Sequence, residues 1–123
     1  MEDLNYFKFC FLKLQDDVSY NETRLNEDFK RLTAFIKSAP SDFFMYRDFQ
    51  SRNVMIFDNE PKFIDYQGGR KGPLQYDVVS LLYQVKARVP DDVRRSLINY
   101  YKVSLAKRLP SDDKALACFD DYF

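Results

Sequence analysis

The chain is 123 residues and 14.7 kDa, one domain's length, and its 19 Lys and Arg balance 19 Asp and Glu with no histidine anywhere. Zero net charge supplies no global field for nucleic acid or an anionic membrane. The absence of imidazole excludes Ser-His-Asp and Cys-His nucleophile pairs and His-ligated zinc.

In chain order, residues 4–14 put Leu4, Phe7, Phe11 and Leu14 on one helical stripe. Tyr6, Phe9, Cys10 and Leu12 make the other faces apolar too, so this helix is predicted to be either well buried or in need of a partner. Asn21 is the predicted N-cap of a second helix over 22–38, with Leu25, Phe29, Leu32 and Ile36 facing one way and Ala39-Pro40-Ser41-Asp42 ending it. The period then changes. Residues 53–57 and 62–66 read as two strands joined by the turn Asp58-Asn59-Glu60-Pro61. Three Gly and a Pro within residues 67–73 predict irregular backbone. A helix follows over 76–88, stopped by Pro90. Another opens at Asp91-Asp92 and carries Val93, Leu97, Tyr101 and Leu105, and a short last helix capped by Ser111 ends the chain. Arg94-Arg95 and Lys107-Arg108 are expected on helix surfaces.

The expectation is therefore a single domain over 1–123, mainly α (α+β), with one small β-hairpin. Twelve Phe and nine Tyr predict a substantial core. Cys10 and Cys118 are too few for a disulfide framework; two reduced, buried thiols are expected, with one bridge as the other reading. The acidic start Met1-Glu2-Asp3 and the lack of an apolar run near ~18 residues point to a soluble, cytoplasmic protein.

Chemistry concentrates in Tyr46-Arg47-Asp48-Phe49-Gln50-Ser51-Arg52-Asn53 and, one hairpin later, Asp65. A hairpin brings its outer ends together, so Asn53 and Asp65 are expected side by side with the Asp48 loop next to them. Two carboxylates and an amide oxygen are hard ligands of the kind Mg²⁺ accepts while keeping waters and phosphate oxygens.

The Y-R-D-x-x-x-x-N spacing with an Asp after a hairpin resembles the kinase catalytic loop. The longer run MYRDFQSRNVMIFDNEPKFIDYQGGRKGPLQYDVVSLLY resembles the C-terminal lobe of the aminoglycoside phosphotransferase and choline kinase group, which has a protein-kinase-like fold. It resembles in particular the bacterial sugar and cell-wall-metabolite phosphotransferases, where an R-D-F loop precedes I-D-[FY]-Q and Y-D-x-x-S-L-L. The resemblance covers roughly residues 3–105.

It implies Asp48 as the base that accepts the proton of a substrate hydroxyl, and Asn53 and Asp65 as Mg²⁺ ligands presenting the phosphates of ATP. It implies Asp77 as a brace for the catalytic loop, and Tyr46 as a packing ring where histidine is commonest. Arg47 and Arg52 have two readings, contact with phosphate or substrate and pairing with Asp77 or another local acid. The segment Gly68–Gly72, with Arg70 and Lys71, reads equally as a phosphate or substrate contact and as a flexible connector. The chain has no G-x-G-x-x-G phosphate loop and no β-lobe with a phosphate-binding Lys. The resemblance therefore implies a C-lobe without its N-terminal nucleotide-binding lobe, inactive alone, of an enzyme moving the γ-phosphoryl of ATP to a sugar, aminosugar, choline-like or aminoglycoside hydroxyl. The alternative is a non-catalytic kinase-like interaction or regulatory domain. Expected partners are the nucleotide and the acceptor, with neither nucleic acid nor membrane, and a homodimer built through exposed apolar helices.

Overall fold

The structure is a computed structural model describing all residues, Met1–Phe123. The chain divides into two compact units, Met1–Ala39 and Pro40–Phe123.

In the first unit α1 spans Glu2–Cys10 and a 3₁₀ turn follows at Leu12–Leu14, in place of the one helix predicted over 4–14. The helix breaks at Phe11, whose φ of −125° is non-helical. A segment this short, with few tertiary contacts, is marginal as a helix. The burial of α1 inverts the expectation from its sequence. Lys8 is its buried residue, donating through Nζ to Asn26 Oδ1 at 3.0 Å and to Glu22 Oε1 at 3.3 Å. Tyr6, Phe7, Phe9 and Phe11 are exposed, and Cys10 is an exposed free thiol. An ammonium can be taken out of water only where such partners replace its hydration. α2 spans Glu22–Lys37, and the Asn21 side chain accepts the Arg24 N–H at 3.0 Å, which is the predicted cap. Phe29 is buried on its apolar stripe, but Leu32 and Ile36 face solvent.

The second unit begins with β1, Phe43–Met45, which pairs antiparallel with β4, Arg70–Gly72. Neither strand is apparent from period alone. The segment read as irregular or as a flexible connector is thus partly a strand. Its Gly72 lies opposite Phe43, where a Cβ would come within 2.6 Å of Met45 Sδ. β2, Val54–Phe57, and β3, Glu60–Phe63, form the predicted hairpin, with a tighter turn than expected. Asp58 and Asn59 both have positive φ, 53° and 58°, the two-residue geometry that matches strand twist. Pro61 therefore lies inside β3, tolerated because both strands of this sheet are edges.

Helices close the unit. α3 spans Gln75–Leu82, shorter than predicted, and a 3₁₀ turn at Val85–Ala87 ends at left-handed Arg88. α4 spans Asp91–Ala106, and α5, Lys114–Ala117, is capped by the Asp113 side chain and not by Ser111. Arg94 is not simply on the surface. Its guanidinium donates to Leu82 O and Val89 O, each at 3.0 Å, and to Asp91 Oδ1 at 2.6 Å, and it lies over the Tyr83 ring. Phe119 is the one large side chain fully buried, ringed by Tyr101 and Phe123, while its carbonyl accepts the buried Gln75 Nε2 at 2.9 Å.

The substantial core expected from the aromatics is not formed. The buried apolar residues are Phe29, Ala39, Leu82, Ala115 and Phe119. Many of the rings, among them Tyr6, Phe9, Phe44, Phe57 and Tyr100, are instead exposed. Because so few residues are fully buried, Phe119→Ala is expected to cost about 3–5 kcal/mol. Urea denaturation followed by tyrosine fluorescence should show the midpoint falling sharply, while Phe119→Leu retains most of the stability.

Candidate functional site

The β1–β4 ladder pairs Met45 with Arg70, so residues 46–69 form an excursion closed at its base by a sheet. All the motif residues from Tyr46 to Asp65 lie on that excursion. α3 grips its first step. Asp77 accepts the Tyr46 N–H at 2.6 Å through Oδ2 and the Arg47 N–H at 3.0 Å through Oδ1. Arg47 has a φ of 70°, a conformation that costs a non-glycine residue of order 1 kcal/mol or more. Two charge-assisted bonds on consecutive N–H groups hold the chain in it.

Tyr46 ties the start of the excursion to its end. Its hydroxyl donates to Ile64 O at 3.1 Å, and its ring packs against Phe49, Phe63 and Tyr66 at centroid distances of 5.6, 6.4 and 5.2 Å. Asn53 is buried and engaged on three sides. Its N–H donates to Gln50 O at 2.8 Å, its carbonyl accepts the Ile64 N–H at 3.0 Å, and its Nδ2 donates to Asp48 O at 2.8 Å. With the NH₂ group committed to Asp48 O, Oδ1 is the atom of Asn53 left to accept or to coordinate.

The excursion therefore joins Asp48, Asn53 and the backbone leading into Asp65 through consecutive hydrogen bonds. Asp48 is exposed and its carboxylate has no partner; Asp65, also exposed, has a φ of 62° and accepts Gln67 Nε2 at 3.0 Å. No group of three or more His, Cys, Asp or Glu side chains gathers into a metal cluster. The donors on offer are carboxylate and amide oxygens, which suit a hard cation that keeps water or phosphate in its remaining positions.

The cationic residues divide. Lys71 is occupied by an exposed ion pair with Asp42 at 3.0 Å, and Arg70 lies on β4 without a partner. Arg47 and Arg52 make no ion pair, and Asp77 is taken by backbone N–H groups, so the pairing of either arginine with Asp77 does not occur. Sequence reasoning missed Gln84. Its Oε1 accepts both the N–H and the hydroxyl of Ser51, at 3.0 and 2.7 Å, and its Nε2 donates to Gln50 Oε1 at 3.4 Å. A glutamine just past a helix end carries no sequence signal of such a role.

Asp77 also lines an apolar cleft of about 370 Å³ with Phe44, Tyr46, Leu74, Val78 and Tyr101. Burial there raises its pKa above the ordinary 3.8, opposed by the hydrogen bonds from Tyr46 and Arg47. The Tyr101 hydroxyl is likewise pushed up, first by burial and then by the Asp77 charge.

Residues 12–115 match the phosphotransferase enzyme family, APH. The chain belongs to that family. A curated relative, the N-acetylmuramate/N-acetylglucosamine kinase of Neisseria meningitidis serogroup B (strain ATCC BAA-335 / MC58), is 31% identical over 81 residues. That alignment covers 65% of this chain and 23% of the relative, so the chain spans about a quarter of that protein's length. No solved structure gives a significant match. No helix is long and apolar enough to cross a membrane.

The raised pKa of Asp77 has a defined sign. The folded state holds this proton more tightly than the unfolded chain, so its contribution is present below about pH 3.8 and is lost as pH rises through the raised value. Asp77→Asn cannot titrate and gives up one of two acceptor oxygens. The stability advantage of the wild type over this variant, measured by urea denaturation from pH 4 to 7, is expected to narrow as pH increases. A pH-independent gap would refute the assignment.

Proposed function

We propose that this chain is the C-lobe of an ATP- and Mg²⁺-dependent phosphotransferase acting on a small-molecule hydroxyl, with an N-acetylated aminosugar the favoured acceptor class. The observation that carries the reading is the hydrogen-bonded excursion from Tyr46 to Asp65, anchored by Asp77 and pinned through Asn53, in a member of the phosphotransferase enzyme family. The 31% identity to an aminosugar kinase supports the acceptor class.

Asp48, with its unpaired carboxylate, is assigned as the base that takes the acceptor's hydroxyl proton. Asn53 Oδ1 and the Asp65 carboxylate would hold Mg²⁺, which when bound neutralises phosphate charge. Asp77 and Tyr46 are positioning residues: one holds the backbone entering Asp48, the other fixes the backbone preceding Asp65. Phosphoryl transfer needs little beyond placement and charge neutralisation, so a pinned loop is the relevant device. Nucleotide contacts made by a glycine-rich lobe would come from outside these residues, and the chain by itself is assigned no turnover. The reading places it in the cytoplasm, where ATP is available.

Millimolar Mg·ATP should raise the melting temperature of the chain, by about 4 °C or more if the ligand stands at tenfold its Kd. Asp65→Asn should abolish the shift. An equal shift in the variant, or none in the wild type, would favour a non-catalytic interaction module.

The exposed rings Tyr6, Phe7, Phe9 and Phe11, with Leu14 of the 3₁₀ turn and Leu32, Phe35 and Ile36 of α2, make apolar surface of the sort that associates. A homodimer through these helices is part of the proposal. Light scattering across a concentration series should give a mass rising above 14.7 kDa, and Phe9→Ser with Phe11→Ser should lower it. A constant monomer mass would remove the dimer.

A further inference from the structure

A second cleft, of about 500 Å³, is lined by Gln50, Ser51, Arg52, Gln84, Val85 and Lys86. One wall, residues 50–52, begins two residues after Asp48, the other is residues 84–86, and neither Asn53 nor Asp65 lines the cleft. Its polar side chains divide into two kinds. Gln84, Ser51 and Gln50 are spent on one another, which clamps the 50–52 loop to the turn after α3. Arg52 and Lys86 have no hydrogen bond or ion pair, and no Asp or Glu lines the cleft. The turn itself is fixed at both ends, since Arg94 donates to Leu82 O before it and to Val89 O after it. The two walls are therefore held by hydrogen bonds, while their two cations are left free to meet an anion.

We propose that this cleft binds an anionic oxygen group of the acceptor, a sugar carboxylate, with Arg52 and Lys86 as its specificity-determining residues and Gln84 as the residue that positions the loop. The inference rests on the phosphotransferase reading and adds that the acceptor is acidic. Guanidinium matches a carboxylate in two parallel hydrogen bonds, and Lys86 adds a point charge. The same chemistry would accept a nucleotide phosphate. The acceptor is favoured because one wall starts two residues after the assigned base and neither assigned metal ligand lines the cleft. Exposed Val85 offers an apolar contact beside the two charges.

The test is an amide NMR titration of the full chain with N-acetylmuramate, with N-acetylglucosamine, which lacks the lactyl carboxylate, and with inorganic phosphate. The acidic sugar should perturb the amides of residues 50–52 and 84–86 and bind at least fivefold more tightly than the neutral one. Arg52→Gln with Lys86→Gln should erase that preference, so that the two sugars bind with equal affinity. Both side chains are exposed, and the variant's spectrum reports its fold directly. Equal affinity for the two sugars, a preference surviving in the variant, perturbation by phosphate alone, or no binding of either sugar would each overturn the proposal. The readout needs no Mg·ATP, so its failure is distinct from loss of the thermal shift in Asp65→Asn.

Discussion

The Asp77 carboxylate, bonded to two consecutive backbone N–H groups at Tyr46 and Arg47, is the contact on which the rest of the site depends. It joins a helix to a loop more than two dozen residues away in sequence, and it does so where Arg47 occupies left-handed space. Each hydrogen bond to a charged acceptor contributes about 1.5–3 kcal/mol, enough to offset the strain at that residue. The cost appears at Asp77, whose pKa is raised by the apolar cleft it faces. A carboxylate held at some desolvation cost to fix a backbone indicates a position chosen for geometry more than for stability.

From that anchor the order propagates through short contacts. The Tyr46 ring and hydroxyl reach the strand end before Asp65, and Asn53 couples its own strand start to Asp48. The β1–β4 ladder shuts the base of the excursion. Gln84 clamps its outer loop and Arg94 staples the turn that carries Gln84. Within this unit, order is set by polar ties and ring contacts around a small buried centre at Phe119, more than by a large core.

The same economy explains the exposed surface. Burying one aromatic ring is favourable by ~25 cal/mol per Å² of apolar area, and many rings here forgo that gain. Lys8 illustrates the pattern within α1, where an ammonium bonded to Glu22 and Asn26 occupies the covered position and phenylalanines face water.

Local rules legible in the sequence held where the cause was local. Asn21 caps α2 because its side chain reaches an N–H three residues on, and Asp58-Asn59 turns the hairpin because both tolerate positive φ. The family was legible too, because the spacing of Asp48, Asn53, Asp65 and Asp77 is a property of the chain order. What the order of residues could not decide was which groups would meet across distance. The pairing of β1 with β4, the burial of Lys8 in preference to its aromatic neighbours, the clamp of Gln84 on Ser51 and the capture of Arg94 by two carbonyls each require partners brought together by folding. Those contacts decide which cations are spent and which stay free, and only the tertiary structure fixes that division.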